Sequence, residues 1–224
     1  MNDLQTLQGE INIALENTTN PVAVILEGRD GAGKTGAIRQ ATEYLPFSQY
    51  KIIHSRKPNT SAMNNWLPYW HHQLPTNEGE IFFFDRSWYS RALCQRLNQW
   101  ATDRQIENFL RKVEDWEIKQ QERGIQIIKF WLSISEETQR ERLTRRIGCP
   151  LRGWKFSKND ANALKTYDLM TVAKNDMMAC SNDWIEIDFN DKESGQFDML
   201  KQIHFYLTEG FHYNEAIGEQ YYYA

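Results

Sequence analysis

Cysteine is scarce in this chain. Cys94, Cys149 and Cys180 are odd in number and form no C-x-x-C pair. That argues against a disulfide framework or a cysteine-based zinc site, and it leads us to expect a reducing, cytoplasmic setting. Long apolar runs are missing as well. None approaches the ~20 residues that cross a bilayer, so no transmembrane helix is expected. Met1 to Asn20 is polar and carries Asp3, Glu10 and Glu16, without the basic start and apolar centre of a signal peptide. Positive charge is not in excess: 26 Lys and Arg face 30 Asp and Glu, for a net charge of −4. The composition therefore gives no argument for nucleic acid, and any polyanion site has to be a local basic patch. His54, His71, His72, His204 and His212 show no metal-ligand spacing, and no Ser-His-Asp arrangement is visible. Internal repeats, low-complexity segments and dividing linkers are absent too. We expect one domain over 1–224, with a lid at about 140–160 and a peripheral tail at 210–224.

What is present centres on one turn. The apolar run Val22-Ala23-Val24-Ile25-Leu26 leads into Gly28-Arg29-Asp30-Gly31-Ala32-Gly33-Lys34-Thr35, and a helical stretch over Ala37–Tyr44 follows. The turn fits the phosphate-loop pattern G-x-x-x-x-G-K-[ST] throughout. Gly28, Gly31, Ala32 and Gly33 are small, so backbone N–H groups can approach an anion, and the helix N-terminus adds positive dipole. Lys34 can reach β- and γ-phosphates, and the Thr35 hydroxyl can ligate Mg²⁺.

The rest of the chain alternates strands and helices. We read a helix over residues 4–16 and strands at Val22–Glu27, Tyr50–His54, Glu80–Phe84, Ile125–Leu132 and Trp184–Asp188. Helices are expected at Met63–His72, at Trp88–Asn98 capped by Ser87, and from Thr102 or Asp103 to about Arg123. Three more are expected from Ser135 to about Ile147, over roughly Lys158–Cys180, and over Gln196–Leu207. This order implies an α/β fold with a five-stranded, mostly parallel sheet and helices on both faces. Ligands of such sheets bind at the carboxyl ends of the strands. The phosphate loop and Asp85 both lie at such ends.

Asp85 ends an apolar strand about fifty residues after Lys34, where an aspartate would hold Mg²⁺ opposite Thr35. Asp30 lies inside the loop. A carboxylate there would repel phosphate unless a metal or an arginine intervenes, so it reads as a metal contact or as a residue acting on the acceptor, with a plain turn aspartate as the alternative. Arg140, Arg142, Arg145, Arg146, Arg152 and Lys155 face only Glu141 over 140–155. The neighbouring Gly148, Pro150 and Gly153 suggest a basic helical lid, whose arginines can neutralise a transferring phosphoryl group. A solvated helix face is the plainer alternative. Arg86, Arg91 and Arg96 form a second basic line after Asp85. Two such lines suit a substrate with more phosphates than one nucleotide carries.

Leu26-Glu27-Gly28-Arg29-Asp30-Gly31-Ala32-Gly33-Lys34, Phe84-Asp85-Arg86-Ser87-Trp88-Tyr89-Ser90-Arg91, Lys129-Phe130-Trp131-Leu132-Ser133-Ile134-Ser135 and Trp154-Lys155-Phe156-Ser157 resemble the type-2 polyphosphate kinases, over about residues 21–207. The resemblance implies a P-loop kinase fold and Mg²⁺-dependent phosphoryl transfer between inorganic polyphosphate and a nucleoside mono- or diphosphate. It matches Asp30 and Asp85 to the family's two essential aspartates, Lys34 to its loop lysine, and Arg86 and Arg91 to the arginines after the second aspartate. Arg142, Arg146 and Lys155 match lid positions. The chain reads as a compact or divergent member. Gln95 stands where many members are acidic, Thr35 replaces a small residue, and Met170 takes the place of a motif tyrosine, with Tyr167 three residues earlier. The alternatives are an ATP-dependent nucleoside monophosphate kinase of the thymidylate-kinase type, whose loop is similar, and a weakly active phosphate-binding regulatory protein. Neither membrane nor nucleic acid is an expected partner. The aromatic tail, ending Tyr221-Tyr222-Tyr223, leaves a homo-oligomer open.

Overall fold

The computed structural model describes residues 3–147 and 162–209, together with the short strands 213–214 and 219–220. Helix α1 (Asp3–Asn17) precedes β1 (Val22–Gly28), the phosphate loop and α2 (Lys34–Ala41). Then come β2 (Tyr50–His54), α3 (Thr60–Asn64), α4 (Trp66–His71) and β3 (Ile81–Asp85). A 3₁₀ turn (Trp88–Arg91), α5 (Cys94–Leu97), α6 (Asp103–Leu110) and α7 (Val113–Gln121) lead to β4 (Gln126–Ser133) and α8 (Glu136–Ile147). After the residues that are not described come α9 (Tyr167–Ala179), β5 (Trp184–Asp188) and α10 (Lys192–Thr208). The pair β6 (Tyr213–Asn214) and β7 (Glu219–Gln220) is antiparallel.

The five main strands are all parallel, in the order β2-β3-β1-β4-β5. β1 is central and buried along its whole length. Its side chains alternate between two cores, as the two-residue period of a strand requires. Val22, Val24 and Leu26 join an aliphatic core under α1, α2 and α10. Ala23 and Ile25 join a core built from Trp66, Trp70, Phe84, Trp88, Tyr89 and Trp131. The register sets Leu26 beside Asp85 and Phe130, so the ends of β1, β3 and β4 converge.

Several expected helices are shorter than the sequence pattern suggests. The stretch 63–72 breaks at Asn65, whose backbone and side-chain N–H groups both return to the Ser61 carbonyl. The helix expected over 88–98 is a 3₁₀ turn followed by α5. Trp88, Tyr89, Ser90 and Arg91 are all buried there, and a 3₁₀ turn aligns i with i+3, setting Trp88 and Arg91 on one side. Ser87 caps the turn by accepting from the Tyr89 N–H at 3.2 Å. The helix expected over 103–123 breaks between α6 and α7. Thr102 and Gln105 form the capping box at its start, and Gly124, at φ 88°, follows its end. Of the helix expected over 158–180, residues 162–163 are helical, the chain turns at 164–165, and α9 takes up at Tyr167; residues 158–161 lie outside the described set.

A closed polar network sits inside the aromatic core. Lys129 Nζ donates to Glu117 Oε2 and to Ser181 Oγ, both at 2.7 Å. Trp88 Nε1 donates to Glu117 Oε1 at 2.8 Å, and the Tyr89 hydroxyl donates to Ser181 Oγ at 2.7 Å. Ser181 in turn donates to Glu117 Oε2 at 3.0 Å. The Ser181 hydroxyl thus uses its one donor and both acceptor positions. This network anchors Trp88 and Tyr89 directly behind Asp85 and Arg86.

Candidate active site

The phosphate loop is a chain of backbone constraints. Gly28 has φ 146°, and a Cβ there would lie 2.7 Å from the Leu132 carbonyl oxygen, so only glycine fits between β1 and β4. Gly33, at φ 111°, turns the chain into α2. Lys34 is buried, and its Nζ donates to the carbonyls of Gly28 at 2.8 Å and Arg29 at 3.0 Å. Burial, helped by the nearby Arg86 charge, pushes the Lys34 ammonium down to a pKa of about 8.

Across the cleft, Thr35 Oγ1 donates to Asp85 Oδ2 at 2.9 Å. His54 Nδ1 lies 3.5 Å from the same oxygen. Burial pushes the Asp85 carboxyl up. The hydrogen bonds from His54 and Thr35, with the Lys34 and Arg86 charges, outweigh it and hold the carboxyl at about 2. Arg86 has a left-handed backbone, φ 65°, fixed by its N–H bonding to the Leu26 carbonyl. Its Nη2 meets Asp30 Oδ1 at 2.6 Å. Burial raises the Asp30 carboxyl, but Arg86 and Lys34, with a smaller contribution from Arg146, bring it below its ordinary value. Asp30, Lys34, Thr35, Asp85 and Arg86 therefore form one constellation.

Other expected site residues sit differently. Arg91 is buried, lies 4.6 Å from the Trp66 ring and donates to the Met63 carbonyl at 2.9 Å. Burial lowers its pKa to about 10. Arg142, expected on a basic helical lid, is tied to the body of the fold. Its Nη1 reaches the carbonyls of Gly31 and Ala32 at 3.3 and 3.2 Å, and its Nη2 reaches those of Phe189 and Asn190 at 2.7 and 2.9 Å. A guanidinium fork with five donors is suited to such a junction. Arg142 thus ties α8 and the segment after β5 to the phosphate loop. Gly148, Pro150, Arg152, Gly153 and Lys155, and with them most of the expected lid, lie outside the described residues.

Three residues with clear positions were not singled out by the sequence. Arg29 lies 3.5 Å over the Tyr167 ring and donates to the Tyr167 carbonyl at 2.7 Å and to Thr171 Oγ1 at 2.5 Å, joining the loop to α9. Gln139 donates to the Asp30 carbonyl at 2.9 Å. Gln139, Arg142 and Arg146 recur at i, i+3 and i+7, so their common helix face was readable. Glu27, fully buried at the end of β1, accepts from the Ser87 N–H at 2.8 Å and the Ser87 hydroxyl at 2.9 Å.

Comparison with known proteins decides the family. The family model described as Polyphosphate kinase 2 (PPK2) matches residues 1–210. The chain belongs to the polyphosphate kinase 2 family. It is 31% identical over 198 residues to the NDP-polyphosphate phosphotransferase 1 of Ruegeria pomeroyi, covering 84% of this chain and 63% of that protein. It is 33% identical over 211 residues to the ADP-polyphosphate phosphotransferase of Pseudomonas aeruginosa, covering 90% of this chain and 68% of that one. The chain thus spans about two thirds or less of the length of these curated relatives. The crystal structure of polyphosphate kinase 2 from Arthrobacter aurescens shares the fold, with a TM-score of 0.85 over 92% of this chain and 77% of that one, at 22% identity.

The oxygen donors of Asp30, Asp85 and Thr35 fit a hard divalent cation. Among the described residues no three His, Cys, Asp or Glu side chains form a preformed metal cage. Mg²⁺ typically takes one or two carboxylates and completes its shell with substrate phosphates and water, so no cage is required. Among the described residues no helix is long and apolar enough to cross a membrane.

Proposed function

We propose that this chain transfers phosphoryl groups between inorganic polyphosphate and a nucleoside mono- or diphosphate, with Mg²⁺, in the cytoplasm. The observation that carries the reading is the Thr35–Asp85 contact at 2.9 Å beside an intact phosphate loop, with Asp30 and Arg86 paired 2.6 Å apart in the same cleft. The names of the relatives, which act on polyphosphate with NDP or ADP, support the substrate class.

Asp85, Thr35 and Asp30 would hold Mg²⁺, which when bound neutralises phosphate charge. The loop amides of Gly31, Ala32 and Gly33, at the start of α2, bind phosphate oxygens. Lys34 moves from the Gly28 and Arg29 carbonyls to the substrate and, with Arg86, offsets the charge spread over the transferring group. Arg142 holds the loop carbonyls so that the N–H groups stay aimed at the anion, and Arg146 adds positive charge beside Asp30. Arg91, buried against Trp66 and tied to the Met63 carbonyl, braces the wall behind the site, and Arg152 and Lys155 complete the basic lining.

The test is a coupled assay with protein, Mg²⁺ and long-chain polyphosphate, offering AMP, ADP, GMP, GDP and dTMP separately, with ATP as the control donor. Product from polyphosphate is expected. Product from ATP alone would replace this reading with a nucleoside monophosphate kinase. Lys34→Ala is expected to cut turnover by about three orders of magnitude.

A further inference from the structure

Two buried polar atoms in this cleft face each other without a bond. Glu27 Oε2 and Arg86 Nη1 have no hydrogen-bond partner among the described residues. They lie 3.8 Å apart, in charge contact but beyond hydrogen-bond reach. The other carboxylate oxygen of Glu27 is fixed by Ser87. The other end of the guanidinium is fixed by Asp30 at 2.6 Å. Arg86 therefore sits between two carboxylates and bonds only one of them.

That asymmetry matters because Asp30 has two claims on it. Under the function proposed above, on which this inference rests, Asp30 gives its carboxylate to a divalent cation. Where the cation takes Oδ1, the oxygen that Arg86 now bonds, Arg86 lets go, and a buried guanidinium stripped of its counter-charge is costly. Glu27 is the carboxylate already in place, fully buried at the end of β1. Burial leaves its carboxyl raised above the ordinary range, with Arg86 as the largest opposing influence. The left-handed backbone of Arg86 and its N–H bond to Leu26 anchor the base of the side chain, so only the guanidinium has to shift, by about 1 Å, to close the gap.

We propose that Glu27 is a positioning residue that takes over Arg86 when a divalent cation takes Asp30. In the metal-free site Arg86 masks Asp30. In the loaded site Arg86 Nη1 bonds Glu27 Oε2, Asp30 is released, and the arginine stays at the wall of the cleft facing the phosphates. Glu27 thereby sets cation affinity without touching the cation.

The test measures Mn²⁺ binding to the full chain by electron paramagnetic resonance, with no nucleotide or polyphosphate present. Glu27→Gln keeps an oxygen for both Ser87 bonds and removes only the charge. It is expected to weaken Mn²⁺ binding at least about tenfold, but by less than about twofold in an Arg86→Gln background. Equal losses in both backgrounds would reduce Glu27 to a general charge effect and overturn the proposal; so would no loss in either. Ser87→Ala breaks the hydroxyl bond to Glu27 and leaves the charge, so it is expected to lower Tm while Mn²⁺ affinity holds. A matching affinity loss would make Glu27 a structural strut only. A crystal structure of the unaltered chain grown with Mn²⁺ gives a reading independent of any variant's folding. It is expected to show Arg86 about 3 Å from Glu27 and detached from Asp30. Mn²⁺ on Asp30 with the original pairing would sink the exchange alone. No Mn²⁺ at Asp30 would take down the metal reading of the site together with it.

Discussion

Replacing Lys129 by methionine should be among the most damaging single changes in the aromatic half of the molecule. Lys129 is about 5% exposed, and its ammonium is the only cation bonded to Glu117 among the described residues. Methionine fills much of the volume, so the packing loss is small. What remains is a buried carboxylate held by Trp88 Nε1 and the Ser181 hydroxyl alone. Breaking a buried ion pair by removing one partner costs about 3–5 kcal/mol. For a chain of this size each kcal/mol lowers Tm by about 2–4 °C, so a fall of about 6–20 °C is expected. Thermal melts by circular dichroism, with urea titration at 25 °C, give the number. The second variant, Lys129→Met with Glu117→Leu, removes both charges and should recover much of the loss, because apolar replacement of a buried pair is often neutral. A loss under about 1 kcal/mol in the single variant would refute the reasoning, since it would mean that water or a rearranged side chain satisfies Glu117.

Arg142→Ala should cost about 2 kcal/mol of stability as well as activity, because four carbonyl contacts are lost; an unchanged Tm would return Arg142 to the role of an unattached lid residue. Gly195→Ala should destabilise by about 1–3 kcal/mol, read by urea titration, because its new Cβ would lie 2.7 Å from both the Asp188 carbonyl oxygen and the Phe189 ring. Burial holds the Lys34 ammonium at a pKa of about 8. An arriving polyphosphate anion raises that value, so binding at pH 8 should take up about half a proton per chain. Calorimetry in buffers of different ionisation enthalpy measures this uptake, which should vanish in Lys34→Met.

The central strands β1, β3 and β4 were legible because they are largely buried and read as continuous apolar runs, such as Val22–Leu26 and Ile81–Phe84. The loop was legible because anion binding restricts the allowed residues over eight consecutive positions. Helix breaks were not, since Asn65 and the Arg111–Lys112 junction are compatible with helix by propensity and are interrupted by packing. The partners of Arg142, Arg29 and Glu27 lie from 47 to 142 residues away in the chain. A single sequence carries no signal for such pairings. Charge and the family resemblance marked Arg142 as a lid residue; its four carbonyl contacts, which make it a brace, had no such signal.

The two cores also give the protein an optical asymmetry. Trp66, Trp70, Trp88 and Trp131 belong to the aromatic core, and Trp116 and Trp184 pack against it. The aliphatic core beneath α1, α2 and α10 holds no tryptophan among the described residues. Emission from these six indoles therefore watches one side of the sheet. Loosening of α1 or α10 would register in backbone ellipticity before it registered in emission, and the lag between those two signals would measure how tightly the halves are coupled across the sheet.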